Sequence, residues 1–279
     1  MKRPTITDIA KRAGVTKAAV SFALNGQPGV SAATRERILA IAQEIGFQPN
    51  SAARALTVGK SGVFGLVIDR SARTLGIEPF FMQLVSGIQA ELAADHVLLQ
   101  FAMTEDVDAE IELYRQWWAQ RRVDGVFVVD LQVKDRRIAE IEKLRMPAVV
   151  IGAPQGAGSL PAIWQDDRAA VDIVVGYLAA QGHRRIARVG GKSKYWHSVL
   201  RRDAFQSVAG LAGLTAFSVE ADHSAEHGAQ ATVALLGSAE PPTAILYDND
   251  VMAAAGLGVA QRMGVSVPDE VSIVSWDDS

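Results

Sequence analysis

The chain has 279 residues, of which 49% are hydrophobic, and a formal net charge of −3 at pH 7. This length predicts a small domain beside one or two domains of ordinary size. There is no cysteine, which excludes a disulfide framework, a thiolate metal site and a cysteine nucleophile and fits a reducing compartment.

The charge is divided unevenly along the chain. Residues 1–60 contain 9 Lys+Arg against 3 Asp+Glu, net +6, and the remaining 219 residues contain 19 against 28, net −9. A basic head on an acidic body indicates a polyanionic partner for the head alone. No run approaches the roughly 18 apolar residues of a membrane helix, and the first residues do not resemble a signal peptide. We therefore expect a cytoplasmic protein without a membrane partner.

Residues 5–30 have the pattern of two short helices separated by a glycine turn. Thr5 and Asp8 are spaced as a capping box, and Gly14 ends the first helix before Thr16 begins the second. In the second helix, four apolar residues recur at the helical period and are predicted to face inward: Ala19, Val20, Ala23 and Leu24. The residues predicted to face outward are Lys17, Ala18, Ser21, Phe22 and Asn25. Helix-turn-helix proteins place such a helix in a DNA groove.

A third helix and a linker are predicted next. The third helix begins at Ser31 and ends at Gly46. Its apolar stripe consists of Ile38, Leu39, Ile41, Ala42 and Ile45. Asn50 is positioned to cap a short helix over residues 51–57. We expect a DNA-binding domain over residues 1–49, and a hinge helix and linker over 50–62.

From Val63 onward, short apolar runs alternate with amphipathic segments. The runs predicted as strands are 63–68, 97–101, 126–129, 148–151, 186–189, 216–219, 244–247 and 271–274. Helical segments between them include 80–94, 106–120, 167–180, 199–211 and 250–263. This alternation indicates parallel sheets with right-handed crossovers. The Pro/Gly-rich stretch 152–161 is the expected boundary between two α/β lobes, 63–160 and 161–279, with a cleft between them.

In open parallel sheets, ligands bind beyond the carboxyl ends of the strands. The segments at these positions are 69–73, 165–166, 196–201, 247–250 and 276–277. Their arginines and carboxylates can hold vicinal hydroxyls, and their aromatic rings can stack on a ligand, which suits a sugar or a nucleoside. A sugar is favoured because its C–H faces stack on indole rings, and three tryptophans lie near strand ends: Trp164, Trp196 and Trp276.

The enzyme and metal motifs tested do not match. Two Gly-Lys-Ser triplets, at Gly59 and Gly191, have Arg54 and Ile186 where a phosphate loop requires its first glycine. His223 and His227 have no further metal ligand in their pattern, and we interpret them as a solvated helix start. We therefore predict no enzymatic activity, no cofactor and no metal.

Taken together, these motifs resemble the LacI/GalR family of bacterial transcription regulators. The matching segments include Thr5-Ile-Thr-Asp-Ile-Ala10, Ala13-Gly-Val-Thr16, Gly46-Phe-x-Pro-Asn50, Gly182-His-Arg-Arg-Ile186, Asn249-Asp-x-Met-Ala253, Val267-Pro-Asp-Glu-Val-Ser272 and Trp276-Asp-Asp278. The resemblance implies a multidomain protein, with an all-α helix-turn-helix head and a periplasmic-binding-protein-like α/β body. It also implies a regulator, expected to be a repressor, that binds double-stranded operator DNA as a homodimer and responds to a small-molecule effector.

The resemblance also assigns functional residues. Leu56 would be wedged between base steps of the minor groove, although it could instead pack on the body. Phe22 departs from members with a polar or cationic residue there, because its ring can pack on a thymine methyl but cannot hydrogen-bond guanine. The expected DNA-binding residues are Thr5, Thr16, Lys17, Ala18, Ser21, Phe22, Asn25, Asn50, Ala53, Arg54 and Leu56. The expected effector-binding residues are Asp69, Arg73, Phe80, Asp166, Trp196, Arg201, Asn249, Trp276 and Asp277.

Several alternatives remain open from the sequence. Asn249 could simply cap the helix that follows it. The effector could be a purine or nucleoside instead of a sugar. A sugar-binding transport protein would require a signal peptide and would not need the basic head. An enzyme with a DNA module would require a nucleophile or cofactor motif. Family members usually continue beyond the Trp-Asp-Asp turn to complete the sheet, so a fragment or a shortened member is expected.

Overall fold

The computed structural model describes residues 4–48, 59–70 and 75–278. These residues belong to two compact units, Met1–Ser61 and Gly62–Ser279. Five residues assigned to DNA or effector binding lie outside the described residues: Asn50, Ala53, Arg54, Leu56 and Arg73.

The first unit contains the predicted helices, with their predicted starts. They are α1 (Ile6–Ala13), α2 (Lys17–Leu24) and α3 (Ala32–Glu44). Thr5 and Asp8 form the reciprocal capping box, and the side chains of Thr16 and Ser31 accept the N–H groups that begin α2 and α3. Gly14 ends α1 with a φ of 64°, a left-handed conformation that costs glycine no steric strain.

Helical periodicity explains the small core of this unit. Ile9, Val20 and Ile38 are completely buried and pack together where the three helices meet. The prediction that Leu39 belongs to the buried stripe of α3 is wrong, since its side chain is 44% exposed. Adjacent helical residues point about 100° apart, so Leu39 turns away when Ile38 faces the core.

The second unit contains two parallel sheets. The first has the strand order β2-β1-β3-β4-β5 and the second the order β7-β6-β8-β9. The strands are β1 (Val63–Ile68), β2 (Leu98–Met103), β3 (Gly125–Val128), β4 (Ala148–Ile151), β5 (Ala162–Ile163), β6 (Arg185–Gly190), β7 (Thr215–Glu220), β8 (Ala244–Tyr247) and β9 (Ser272–Ser275). The two-residue strand β5 was not predicted, because it is too short to show a period and directly follows the Pro/Gly-rich stretch. It pairs with β4, so the first sheet extends just past residue 160.

Helices cover both sheets, as parallel sheets require. They are α4 (Pro79–Ala94), α5 (Val107–Ala119), α6 (Arg136–Leu144), α7 (Asp167–Ala180), α8 (Trp196–Leu211), α9 (Ala225–Leu236) and α10 (Asp250–Arg262). Alternating residues of β8 enter different cores, with Leu246 in one and Tyr247 in the other. No helix among the described residues is long and apolar enough to cross a membrane.

Candidate functional site

The outward face of α2 is a surface that the core of the first unit does not use. Lys17 and Ala18 are exposed, Phe22 is 39% exposed, and Ser21 and Asn25 are half-buried. Within residues 4–48, Lys17 takes part in no ion pair. The predicted separation between the two faces of α2 is therefore present in the structure.

Phe22 is partly held in place by the loop that follows α2. A Cβ atom added to Gly29 would lie 2.9 Å from the Phe22 ring, so the ring packs directly on the glycine backbone. Gly29 has a φ of 124°, a conformation that other residues rarely adopt. This contact orients a large apolar side chain on the outward face.

The second unit contains a cavity of about 520 Å³ at the carboxyl ends of strands from both sheets. Such a position is the usual ligand site of an open parallel sheet. Its aromatic lining residues are Phe80, Phe81, Trp164, Trp196 and Trp276. Its ionisable lining residues are Arg70, Glu78, Asp130, Asp167, His197, Arg201, His223, Asp248, Asp277 and Asp278.

The main chain joins the two lobes beside this cavity. Trp196 donates its backbone N–H to the carbonyl of Leu131 at 2.9 Å, and Val133 donates to Lys194 at 2.8 Å. An isolated antiparallel bridge links Gln132 and Tyr195 between these bonds. The segment that follows β3 is therefore attached to the segment that begins α8.

Each arginine in the cavity has a carboxylate partner. Arg70 lies 2.9 Å from Asp130, and Arg201 lies 3.0 Å from Asp167. Burial would raise the pKa of Asp130, but the Arg70 guanidinium outweighs it and holds that pKa below its usual value. The Arg201 guanidinium also lies 3.9 Å from the ring centre of Trp276, a cation-π distance.

Two histidines form an uncharged part of the cavity wall. The rings of His197 and His223 lie 5.9 Å apart. Burial lowers the pKa of each to about 4, so both are neutral at pH 7. His223 is only 5% exposed, so its interpretation as part of a solvated helix start is wrong. That description fits His227, which lies within α9 and is half exposed. His223 precedes the Ser224 cap of α9 and is covered by the cavity walls.

Glu78 connects the two lobes directly. It immediately precedes α4, is 8% exposed, and accepts a hydrogen bond from the Asn249 side chain at 3.4 Å through Oε1. Burial raises its pKa to about 6, although the nearby Arg70 cation opposes that rise. Its other oxygen, Oε2, has no hydrogen-bond partner among the described residues.

The predicted effector residues fall into two groups. Five line the cavity: Phe80, Trp196, Arg201, Trp276 and Asp277. The other three described residues are not among its lining residues. Asp69 pairs with Lys194 at 3.5 Å, Asp166 caps α7 by accepting the N–H of Ala169, and Asn249 caps α10. For Asn249 the cap and the contact with Glu78 coexist, because the oxygen and the nitrogen of its amide face different partners.

The expected effector-binding residues left out several polar groups that line the cavity, among them Glu78, Asp130, His223 and Asp248. Asp248 lies within the strand-end segment 247–250, and Asp130, which follows β3, could have been found by the same rule. Glu78 and His223 carry no comparable local signal. Only the folded arrangement brings them to the cavity.

Two family models match the chain. Residues 5–50 match "Bacterial regulatory proteins, lacI family", and residues 175–279 match "Periplasmic binding protein-like domain". The chain is similar to the HTH-type transcriptional regulator AglR of Rhizobium meliloti (strain 1021), with 31% identity over 281 residues, covering 98% of this chain and 77% of the relative.

Solved structures agree with this match over almost the whole chain. The lac repressor dimer bound to operator and the anti-inducer ONPF superimposes with a TM-score of 0.85 at 26% identity, covering 100% of this chain and 83% of that chain. The complex of the transcriptional regulator CelR with cellobiose gives a TM-score of 0.70 at 27% identity, covering 99% and 84%. The chain therefore belongs to the lacI family of bacterial regulatory proteins and is a helix-turn-helix transcriptional regulator.

Proposed function

We propose that this protein is a repressor that binds operator DNA as a homodimer and changes its DNA affinity when a sugar occupies the cavity between the lobes. The observation that carries this proposal is the outward face of α2, which is exposed while the opposite face forms the core. A helix presented in this way fits the major groove of DNA.

The residues on this face suit different parts of a duplex. Lys17, Ala18, Ser21 and Phe22 would face base edges, and Thr5, Thr16 and Asn25 would lie nearer to phosphates. Asn50, Ala53, Arg54 and Leu56 remain predictions for the minor groove. The homodimer is proposed because two heads reading half-sites about one helical turn apart need a shared body, and the similar lac repressor structure is a dimer on its operator.

The cavity supports a sugar as the effector. Its volume of about 520 Å³ lies within the range of small-molecule sites. Trp164 and Phe80 are 54% and 44% exposed and can stack on the C–H face of a sugar, while the carboxylates accept hydroxyl hydrogen bonds. The similarity to the CelR–cellobiose complex also favours this ligand class over a nucleoside.

Selection of duplexes from a randomised pool, followed by titration at several salt concentrations, tests the proposed function. Lys17→Ala should lose about tenfold or more of the preference for the selected duplex. Lys11→Ala, which removes the same charge from the exposed surface of α1, should retain that preference while affinity falls for all duplexes. Failure to select any sequence, or equal preference losses in the two variants, would contradict the proposal.

A further inference from the structure

The cations of the cavity are already neutralised by the protein. Arg70 pairs with Asp130, and Arg201 pairs with Asp167. Behind the wall, Arg188 forms a two-point ion pair with Asp248. To bind any of these three guanidinium groups, a ligand anion would have to displace the carboxylate that already contacts it.

Negative charge is in excess among the residues that line the cavity. Glu78, Asp277 and Asp278 also line the cavity, and none of them takes part in an ion pair among the described residues. Burial raises the pKa of both Glu78 and Asp277, although the nearby Arg70 and Arg201 cations oppose these rises, and the Asp277 charge raises the pKa of Glu78 further. The charged groups of the cavity wall that have no ion-pair partner among the described residues are therefore carboxylates, which favour a positive charge or a hydrogen-bond donor on the ligand.

Glu78 specifies where such a donor would bind. The residue is more than nine-tenths buried, its Oε1 is taken by Asn249, and Oε2 has no partner among the described residues. A buried carboxylate oxygen without a hydrogen bond is unfavourable. A hydroxyl or an ammonium group of a ligand would satisfy it, whereas a phosphate or carboxylate would add repulsion in a poorly solvated space.

We propose that the cavity selects a polyhydroxylated ligand that bears no anionic group and directs a hydroxyl or ammonium donor to Oε2 of Glu78. The inference rests on the proposed function and narrows its effector to neutral or amine-bearing sugars, excluding sugar phosphates and uronic acids. Because Oε1 of the same carboxylate holds Asn249 of the second lobe, the bound donor would act directly on a contact between the lobes.

Fluorescence quenching measures the charge of the cavity without requiring a known effector. Trp164 is 54% exposed at the cavity wall, and the difference between the wild type and Trp164→Phe isolates its emission. When the quenching by each ion is divided by its quenching of free N-acetyltryptophanamide, caesium should quench this emission more strongly than iodide does at neutral pH. The double variant Glu78→Gln, Asp277→Asn should reduce the difference between the quenchers. Glu91→Gln, an exposed position on α4, is the matched control and should leave it unchanged.

A ligand panel then tests chemical selectivity in the full chain. Calorimetry with cellobiose, simple aldoses and amino sugars, each beside its 6-phosphate or uronic acid counterpart, should show at least about tenfold weaker binding of every anionic form. Glu78→Gln should lower the affinity for the neutral ligand by about tenfold, and Glu91→Gln should leave that affinity unchanged. Stronger normalised quenching by iodide than by caesium, or tighter binding of an anionic form than of its neutral counterpart, would overturn the inference.

The outcomes separate this inference from the proposed function. If an anionic sugar binds and changes the affinity for a selected duplex, the charge inference fails while the regulatory function stands. If no duplex is selected but caesium quenches Trp164 preferentially and Glu78→Gln lowers that preference, the regulatory function fails and the charge inference stands.

Discussion

Asn249, the N-cap residue of α10, donates its side-chain amide to Oε1 of Glu78 at the start of α4. The two residues are separated by 171 positions in the chain. The same amide donates to the carbonyl of His223 at 3.0 Å, and its oxygen accepts the N–H of Met252 at 2.9 Å. One side chain therefore begins a helix in the second lobe and contacts a buried acid of the first.

Asn249→Ser separates these two roles. Serine is a good N-cap, but its shorter side chain cannot reach Glu78. The free energy of unfolding should therefore fall by about 1–3 kcal/mol, because Oε1 of Glu78 and the carbonyl of His223 lose their donor, and effector affinity should fall as well. Asn249→Ala removes the cap as well and should cost about 1 kcal/mol more. Urea unfolding and calorimetry with a bound sugar measure both effects. Equal effector affinity in the wild type and the serine variant would rule out a role for the contact in binding.

Phe22 should determine one base pair of each operator half-site. Its ring cannot hydrogen-bond a base, so Phe22→Arg is expected to shift the preferred base at one position from thymine to guanine, with a discrimination of about 1–3 kcal/mol. The measurement is duplex selection with each protein. Leu39→Arg, an exposed position on α3, adds the same charge and should leave the selected sequence unchanged. An identical sequence selected by the wild type and Phe22→Arg would exclude Phe22 from base contact.

Gly65 allows the Trp117 indole to pack against β1. A Cβ atom at Gly65 would lie 2.5 Å from that ring, which is itself buried in the core. Gly65→Ala should therefore destabilise the protein by about 1–3 kcal/mol through overpacking, measured by thermal or urea unfolding. Gly87→Ala is the control, because its added methyl group meets no neighbour within 4 Å and alanine favours the interior of α4. A stable Gly65→Ala variant would show that the indole can shift without cost.

The histidines of the cavity should make the protein less stable in mild acid. Folding lowers the pKa of His197 and His223 from 6.5 to about 4, so the unfolded chain binds more protons as the pH falls through this window. Glu78 has the opposite effect on stability. Folding raises its pKa to about 6, so its protonation favours the folded state as the pH falls from about 6 to 4.5.

Because the two histidines outweigh Glu78, the combined contribution of these three groups to stability should fall by roughly 2–3 kcal/mol between about pH 7.5 and pH 5. Urea unfolding of the wild type and His223→Gln provides the measurement. The variant should lose less stability over this range, whereas His227→Gln, at a half-exposed position on α9, should behave like the wild type. Stability that is independent of pH across this window would contradict the burial of neutral histidines.

The accuracy of the sequence-based predictions depended on how far apart the determining contacts lie. Thr5 and Asp8 are three residues apart, and a local rule predicted their capping box. The apolar runs predicted most strands within one or two residues, because strands inside a parallel sheet, such as β1, β3 and β8, are buried on both faces. Glu78 was missed because its burial depends on Asn249 in the other lobe, and His223 because its burial depends on the walls around it.

The backbone bonds between residues 131–133 and 194–196 also bear on how binding specificity can change during evolution. Those bonds involve peptide groups alone, so this part of the connection between the lobes does not depend on particular side chains. Residues of the cavity wall can therefore change in evolution while these backbone bonds are retained.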